Sequence, residues 1–247
     1  VTVSSEHITA VILAGGLGTR IQHMLPGLAK PMAPVHGRPF LEWVIRYLAR
    51  QGLRRVVVST GYQAESVERH LARQPVHGID LRCVPEPKPL GTAGGFLNAT
   101  RAVPEPAAGW LVLNGDSLAP APLAPLFRCL DEPASDGALL GVTVPDASRY
   151  GTLEQDDSEA LVAFKEKRPG AGIINAGVYL FRPALVRRFP GHVPLSFEQE
   201  VFPRLLQQRV RLKVCVTSAP FLDIGTPESL PLAEAFIRDN AEHFDPG

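Results

Sequence analysis

Surplus charge of either sign is missing from this chain: 25 Lys and Arg balance 25 Asp and Glu across 247 residues. No long basic run occurs, which argues against nucleic acid as the main partner, because holding a phosphate backbone takes clustered cations. Long apolar runs are missing too, and none approaches the roughly 20 residues needed to cross a bilayer. No membrane role is expected. Residues 1–10 lack the basic start and apolar stretch of a secretory signal, so a cytoplasmic protein is expected. Cysteine is scarce: Cys83, Cys129 and Cys215 are scattered without CxxC spacing. They read as small buried hydrophobes in a reducing compartment, not as a disulfide frame or metal site. The histidines show no ligand spacing either, and no internal repeat or disordered tail is evident.

What the chain does have is alternation of strand and helix patterns. In the first half, strand patterns at residues 9–14, 55–60, 80–84 and 110–114 interleave with helical ones at 40–51, 63–73 and 92–102. Gly52 follows the first helix as a C′ glycine should. Short buried strands alternating with helices imply parallel βαβ units with right-handed crossovers. After Asp116 the rhythm changes. A buried strand at 138–144 precedes short alternating segments at 150–154 and 161–166, an antiparallel excursion around an acidic turn. Strands at 174–181 and 211–217 flank a helix at 197–208, and a helix from 227 to about 240 closes the pattern. The expectation is one α/β domain with a Rossmann-like, mostly parallel sheet flanked by helices. Its nucleotide-binding half spans about 8–117 and its second half about 118–240.

The stretch Leu13-Ala14-Gly15-Gly16-Leu17-Gly18-Thr19-Arg20 directly follows the first strand, with Lys30-Pro31 downstream. Glycines let backbone N–H groups approach an anion, and Arg20 and Lys30 add cations that could hold a polyphosphate. A plain glycine turn with surface cations fits the same residues. Two familiar motifs fail: Ile21 stands where the dinucleotide fingerprint needs a third glycine, and no Gly-Lys-Ser/Thr ending follows. Asp116, at the end of the 110–114 strand, suits a divalent-metal ligand or a turn cap. Asp223, acidic in an apolar setting, suits a second ligand, although Thr226-Pro227 after it could equally open a helix. Phe164-Lys165-Glu166-Lys167-Arg168 reads as surface charge or as a phosphate grip. Tyr150-Gly151-Thr152 and Asn175-Ala176-Gly177 place small polar residues beside strands, suited to a hydroxyl-rich ligand. Open α/β sheets bind ligands at the carboxyl ends of their strands, which gathers these motifs into one expected site.

Six motifs then occur in order: the Gly15–Arg20 loop with Lys30-Pro31, Pro89-Leu90-Gly91-Thr92-Ala93-Gly94-Gly95, Leu113-Asn114-Gly115-Asp116, Phe164-Lys165-Glu166-Lys167, Asn175-Ala176-Gly177 and Leu222-Asp223-Ile224-Gly225-Thr226-Pro227. From residue 8 to about 236 the chain resembles the sugar-1-phosphate nucleotidyltransferases. Within that family it looks most like the D-glycero-α-D-manno-heptose-1-phosphate guanylyltransferases. The resemblance implies the nucleotide-diphospho-sugar transferase fold and an Mg²⁺-dependent transfer of a nucleoside monophosphate from an NTP, with GTP favoured, to a sugar 1-phosphate. It implies that Leu13, Ala14, Gly15, Gly16, Glu86, Gly91, Thr92 and Gly115 form the nucleotide site and that Gly18, Thr19 and Arg20 wrap the triphosphate, with Lys30 adding charge. Asp116 and Asp223 would hold Mg²⁺. Lys167, with Glu166 beside it, would grip the sugar phosphate, and Gly151, Asn175 and Glu198 would contact the sugar. Glu86 is either a carboxylate acceptor for guanine or a solvated residue of the 85–89 turn. Mannose-1-phosphate guanylyl transfer and a muramate-type uridylyl transfer are alternatives, as is a silent sugar-nucleotide sensor. Oligomeric state stays open.

Overall fold

In the computed structural model, residues 4–105, 107–165 and 167–244 are described. The first half runs β1 (Ile8–Ala14), β2 (Pro34–Val35), β3 (Arg38–Pro39), α1 (Phe40–Arg50), β4 (Arg55–Thr60), α2 (Ala64–Arg73), β5 (Asp80–Pro85), α3 (Thr92–Arg101) and β6 (Gly109–Asn114). The second half runs β7 (Ser117–Leu118), α4 (Ala124–Arg128), β8 (Gly137–Val144), β9 (Thr152–Gln155), β10 (Leu161–Lys165), β11 (Gly172–Phe181), α5 (Pro183–Val186), α6 (Phe202–Gln207), β12 (Leu212–Thr217), β13 (Leu222–Asp223) and α7 (Ala233–Asp239).

β1 explains the architecture. Ile8, Ala10, Ile12 and Ala14 point into one core and Val11 into a second, so the strand is buried on both faces and reads as a continuous apolar run. α1, α2 and α7 pack over the first face, and α3 and α6 over the second. α1 ends as its sequence demands. Gly52 adopts φ +81°, Gly52 N–H donates to the Ala49 carbonyl and Leu53 N–H to the Leu48 carbonyl, both at 3.1 Å. That paired closure needs a residue in the left-handed region, which glycine enters without strain.

Among the described residues, the main sheet has nine strands. β5, β4, β1 and β6 lie side by side and parallel, as the interleaved pattern predicts. β11 then runs antiparallel to β6 and to β8, while β12 lies parallel to β8. The long β11 therefore carries the same sheet through both halves of the chain. β9 and β10 form the expected antiparallel excursion. Two local expectations fail. The 197–208 segment opens with a π turn, Phe197–Val201, before α6. Residues after Thr226 form a turn and a short 3₁₀ segment, Leu230–Leu232, so the last α-helix starts only at Ala233. Asp223 follows β12 and lies in the two-residue β13. Cys129 is buried as expected, and all three thiols are free, but folding brings the Cys129 and Cys215 sulfurs to 4.0 Å.

One charged group sits inside this framework. Glu42 of α1 is 2 % exposed and accepts from Arg38 and, at 3.0 Å, from Arg46. Burial alone would raise its carboxyl, but hydrogen bonds and charge from Arg38 and Arg46 bring it below its ordinary value of 4.5. A carboxylate lowered in the folded state stabilises the fold above its unfolded value and loses that contribution as pH falls through the folded one. Glu42→Gln, which leaves the partly buried Arg46 guanidinium without its carboxylate, should therefore cost about 2 kcal/mol at neutral pH. Urea titrations should show the gap from wild type narrowing below about pH 4.5.

Candidate active site

Strand order reverses between β1 and β6, because β4 and β5 extend one side of β1 and β6 the other. Such a switch point opens a crevice at the strands' carboxyl ends. β1 runs straight into the glycine loop there, and β6 into Asn114-Gly115-Asp116. Gly115 N–H donates to the Leu13 carbonyl at 2.9 Å, and a Cβ on Gly115 would lie 2.8 Å from that oxygen. Only glycine lets the turn sit this close to β1. β13 then pairs antiparallel with β7, setting Asp223 opposite Ser117, and Ile224 N–H donates to the Asp116 carbonyl at 2.9 Å. This two-residue ladder brings the two distant aspartates together.

Lys30 joins them. Its Nζ lies 2.6 Å from Asp116 Oδ2 and 3.7 Å from Asp223 Oδ1, with the side chain 14 % exposed. Two glycines make room for it. A Cβ on Gly18, which has φ +60°, would lie 2.9 Å from the lysine Cβ, and one on Gly225 would lie 2.6 Å from both Nζ and Asp223 Oδ1. Burial raises the Asp223 carboxyl, the negative charge of Asp116 adds to that, and Lys30, the Gly225 N–H and Arg20 offset part of it. Both acids therefore gain from a nearby cation. A cavity of about 220 Å³ opens here, walled by Ala14, Gly16, Gly18, Thr19, Arg20, Lys30, Asp116 and Gly225.

An adjoining cavity of about 500 Å³ shares Leu13, Gly16, Gly18, Thr19 and Asp116 and adds Gly15, Glu86, Gly91, Thr92 and Asn114. Every nucleotide-site residue read from the sequence except Gly115 lines one of the two, and Gly115 builds the turn between them. Glu86 is not a freely solvated turn residue. Its Oε1 accepts from Ser59 Oγ at 3.1 Å and its Oε2 from the Leu90 N–H at 3.0 Å. A Cβ on Gly15 or Gly95 would strike Oε1, so two glycines make space for this carboxylate. Gly91, at φ +77°, lets the chain pass the Leu195 backbone, whose carbonyl takes the Ala93 and Gly94 N–H groups at 2.9 and 3.2 Å.

On the second-half side, Asn175 N–H donates to the Gly151 carbonyl at 2.9 Å. The Asn175 Nδ2 group donates to Tyr179 OH at 2.7 Å, and that hydroxyl donates to Glu198 Oε1 at 3.2 Å. Gly151, Asn175 and Glu198 thus form one cluster, and Gly177 stacks against the Asn114 side chain at the end of β6. Lys167 is exposed, does not line either cavity and has no polar partner among the described residues. Glu166 lies outside the described residues. Sequence reading missed Ser59 and Tyr179, two buried hydroxyls that follow apolar residues in their strands. That contrast is the only signal either gives, and it does not say where the hydroxyl points.

Both acids are hard oxygen donors of the kind Mg²⁺ takes, and no group of three or more His, Cys, Asp or Glu able to hold a metal occurs among the described residues. An ion here would complete its shell with phosphate oxygens. The arrangement joins a charged crevice to a nucleotide-sized cavity and contains no Ser-His-Asp or Cys-His set, so it suits phosphoryl chemistry run by positioning and charge.

Comparison with known proteins agrees with this geometry. The family model described as nucleotidyl transferase matches residues 9–240. A D-glycero-α-D-manno-heptose 1-phosphate guanylyltransferase of Aneurinibacillus thermoaerophilus is 34 % identical over 93 % of this chain and 98 % of its own. A mannose-1-phosphate guanylyltransferase of Mycobacterium tuberculosis is 33 % identical over 97 % of this chain, which spans 66 % of that protein's length. The crystal structure of HddC from Yersinia pseudotuberculosis complexed with GMP-PN superposes with a TM-score of 0.81 at 34 % identity, covering 93 % of this chain and 99 % of that one. The glycine loop, the 89–95 segment and the two aspartates thus meet at the crevice at the ends of β1 and β6, and the chain belongs to the nucleotidyl transferase family.

Proposed function

We propose that this enzyme transfers GMP from GTP to D-glycero-α-D-manno-heptose 1-phosphate, releasing pyrophosphate and forming a GDP-sugar. The observation that carries the reading is the gathering of Asp116, Asp223, Lys30 and Arg20 at one end of a nucleotide-sized cavity. Relatives named for this reaction align over nearly the whole chain. A relative named for mannose 1-phosphate aligns as widely, which supports that sugar as the second reading.

The attacking group is an oxygen of the sugar phosphate, already anionic, so no general base is needed. It forms a bond to the α-phosphorus while the bond from that phosphorus to the bridging oxygen breaks, and pyrophosphate carries the electrons away. The main barrier is bringing two anions together. Gly18, Thr19 and Arg20 would hold the triphosphate, with Lys30 and Lys167 adding charge at either side. Asp116 and Asp223 would hold Mg²⁺, which when bound neutralises phosphate charge and orients the α-phosphate. Glu86, fixed by Ser59 and Leu90, would accept from the N1–H and N2–H₂ donors of guanine. Gly151, Asn175 and Glu198 would meet the sugar.

Mixing GTP, Mg²⁺ and a panel of sugar 1-phosphates should release pyrophosphate; its absence with every sugar would favour a silent sensor. Asp116→Asn should keep the circular dichroism of the wild type and lose at least about two orders of magnitude in turnover. Near-normal Mg²⁺-dependent turnover in that variant would overturn the assignment. Competition among GTP, UTP, dTTP, CTP and ATP should favour GTP. Glu86→Gln should shrink that preference by about tenfold or more, since a site built to accept a base's protons discriminates strongly. A wild-type preference for UTP would reject the guanine reading.

A further inference from the structure

Tyr179 is wholly buried near the end of β11, among Phe181, Phe197 and Phe202, yet its hydroxyl is the centre of a continuous chain of polar groups. Asn175 Nδ2 donates to it at 2.7 Å, and it donates to Glu198 Oε1 at 3.2 Å. On the far side, Glu198 Oε2 accepts from Ser196 Oγ at 3.1 Å and from Thr92 Oγ1 at 3.4 Å. Thr92 Oγ1 in turn accepts from the Phe197 N–H at 3.0 Å. Thr92 opens α3 and lines the larger cavity. Asn175 Oδ1 is already committed to the Gly177 N–H at 3.1 Å, so its amide cannot turn freely.

Proton directions agree along the whole chain. Asn175 donates to the phenol, the phenol donates to Glu198, and Thr92 donates to the same carboxylate. Burial and the charge of Glu198 raise the Tyr179 phenol, so it keeps the proton it must give. The weakest contact is the one from Thr92, beside the nucleotide cavity.

We propose that Tyr179 is a positioning residue that couples nucleotide binding to sugar-phosphate binding, an inference that rests on the functional reading above. A nucleotide seated against Gly91 and Thr92 orders the start of α3 and shortens the Thr92–Glu198 contact. Glu198 and Asn175 are then held, through the phenol, in the orientation that meets the sugar hydroxyls. Without the hydroxyl the two subsites fill independently.

Tyr179→Phe removes one oxygen from a packed aromatic cluster and keeps its shape. Wild type should bind the better accepted of D-mannose 1-phosphate and D-glycero-α-D-manno-heptose 1-phosphate about tenfold more tightly when a non-hydrolysable GTP analogue is present, by calorimetry. The variant should lose that tightening. Its Kd for the sugar phosphate with the analogue present should rise about tenfold, the loss of one hydrogen bond to a charged group. By reciprocity its Kd for the analogue with sugar phosphate present should rise by the same factor, while its Kd for the analogue alone stays within about twofold. Nucleotide alone should also shift the Asn175 side-chain amide resonance in wild type and not in Tyr179→Phe. Equal coupling, or an equal amide shift, in both proteins would overturn the proposal. Failure of wild type to transfer a nucleotide to either sugar would instead overturn the functional reading, and the amide shift would still decide whether the relay exists.

Discussion

One lysine ammonium between two carboxylates organises this site. Asp116 and Asp223 are far apart in the chain, and a close pair of half-buried like charges repels unless a counterion sits between them. Lys30 supplies it at 2.6 and 3.7 Å. The arrangement depends on backbone events that have no charge of their own: the β7–β13 ladder, the Ile224–Asp116 hydrogen bond, and the missing side chains of Gly18 and Gly225. A larger residue at Gly225 would displace both the lysine head and the Asp223 oxygen it faces. The charged groups are fixed because the backbone around them is fixed.

The long strands were legible because burial on both faces leaves a continuous apolar run, as in β1, β4 and β6, and the end of α1 because Gly52 closes it in a conformation few other residues adopt. The short elements were not legible. β7 and β13 are two residues each, too brief for any periodicity, and they exist because they pair with one another. The helix expected from Pro227 fails for a related reason. Thr226 Oγ1 does accept the Ser229 N–H at 3.3 Å, but that bond closes a local turn and not the first turn of an α-helix.

The site was legible in kind and not in arrangement. Glycines after β1 and an aspartate after β6 announce a crevice, since strand ends carry ligands in such sheets. That Asp223 would meet Asp116 followed from resemblance, because nothing in either local sequence names the other. Ser59 and Tyr179 were missed for a deeper reason. Each is fully buried within its strand, and a hydroxyl's partner there is set by a residue on another element: Glu86 for one, Glu198 for the other. Lys167 shows the reverse. The motif singles it out, yet in this structure it stands exposed beyond both cavities, whereas Lys165 is tied to Glu154 at 2.5 Å.

Charge balance links this geometry to the proposed reaction. Close to the β1 and β6 ends, Lys30 lies between Asp116 and Asp223 and Arg20 lines the same small cavity, so the charges of these four groups nearly cancel. A triphosphate brings several negative charges into that balanced crevice, and a sugar phosphate brings more. Lys30, already engaged with two acids, and Arg20 beside it cannot neutralise that load alone, so a divalent ion arriving with the nucleotide would suit the electrostatics better than a site of fixed lysines. The same reasoning accounts for a chain with no net charge that handles strongly anionic substrates. The positive charge needed for chemistry is local and partly borrowed, and the rest of the surface has no need to carry it.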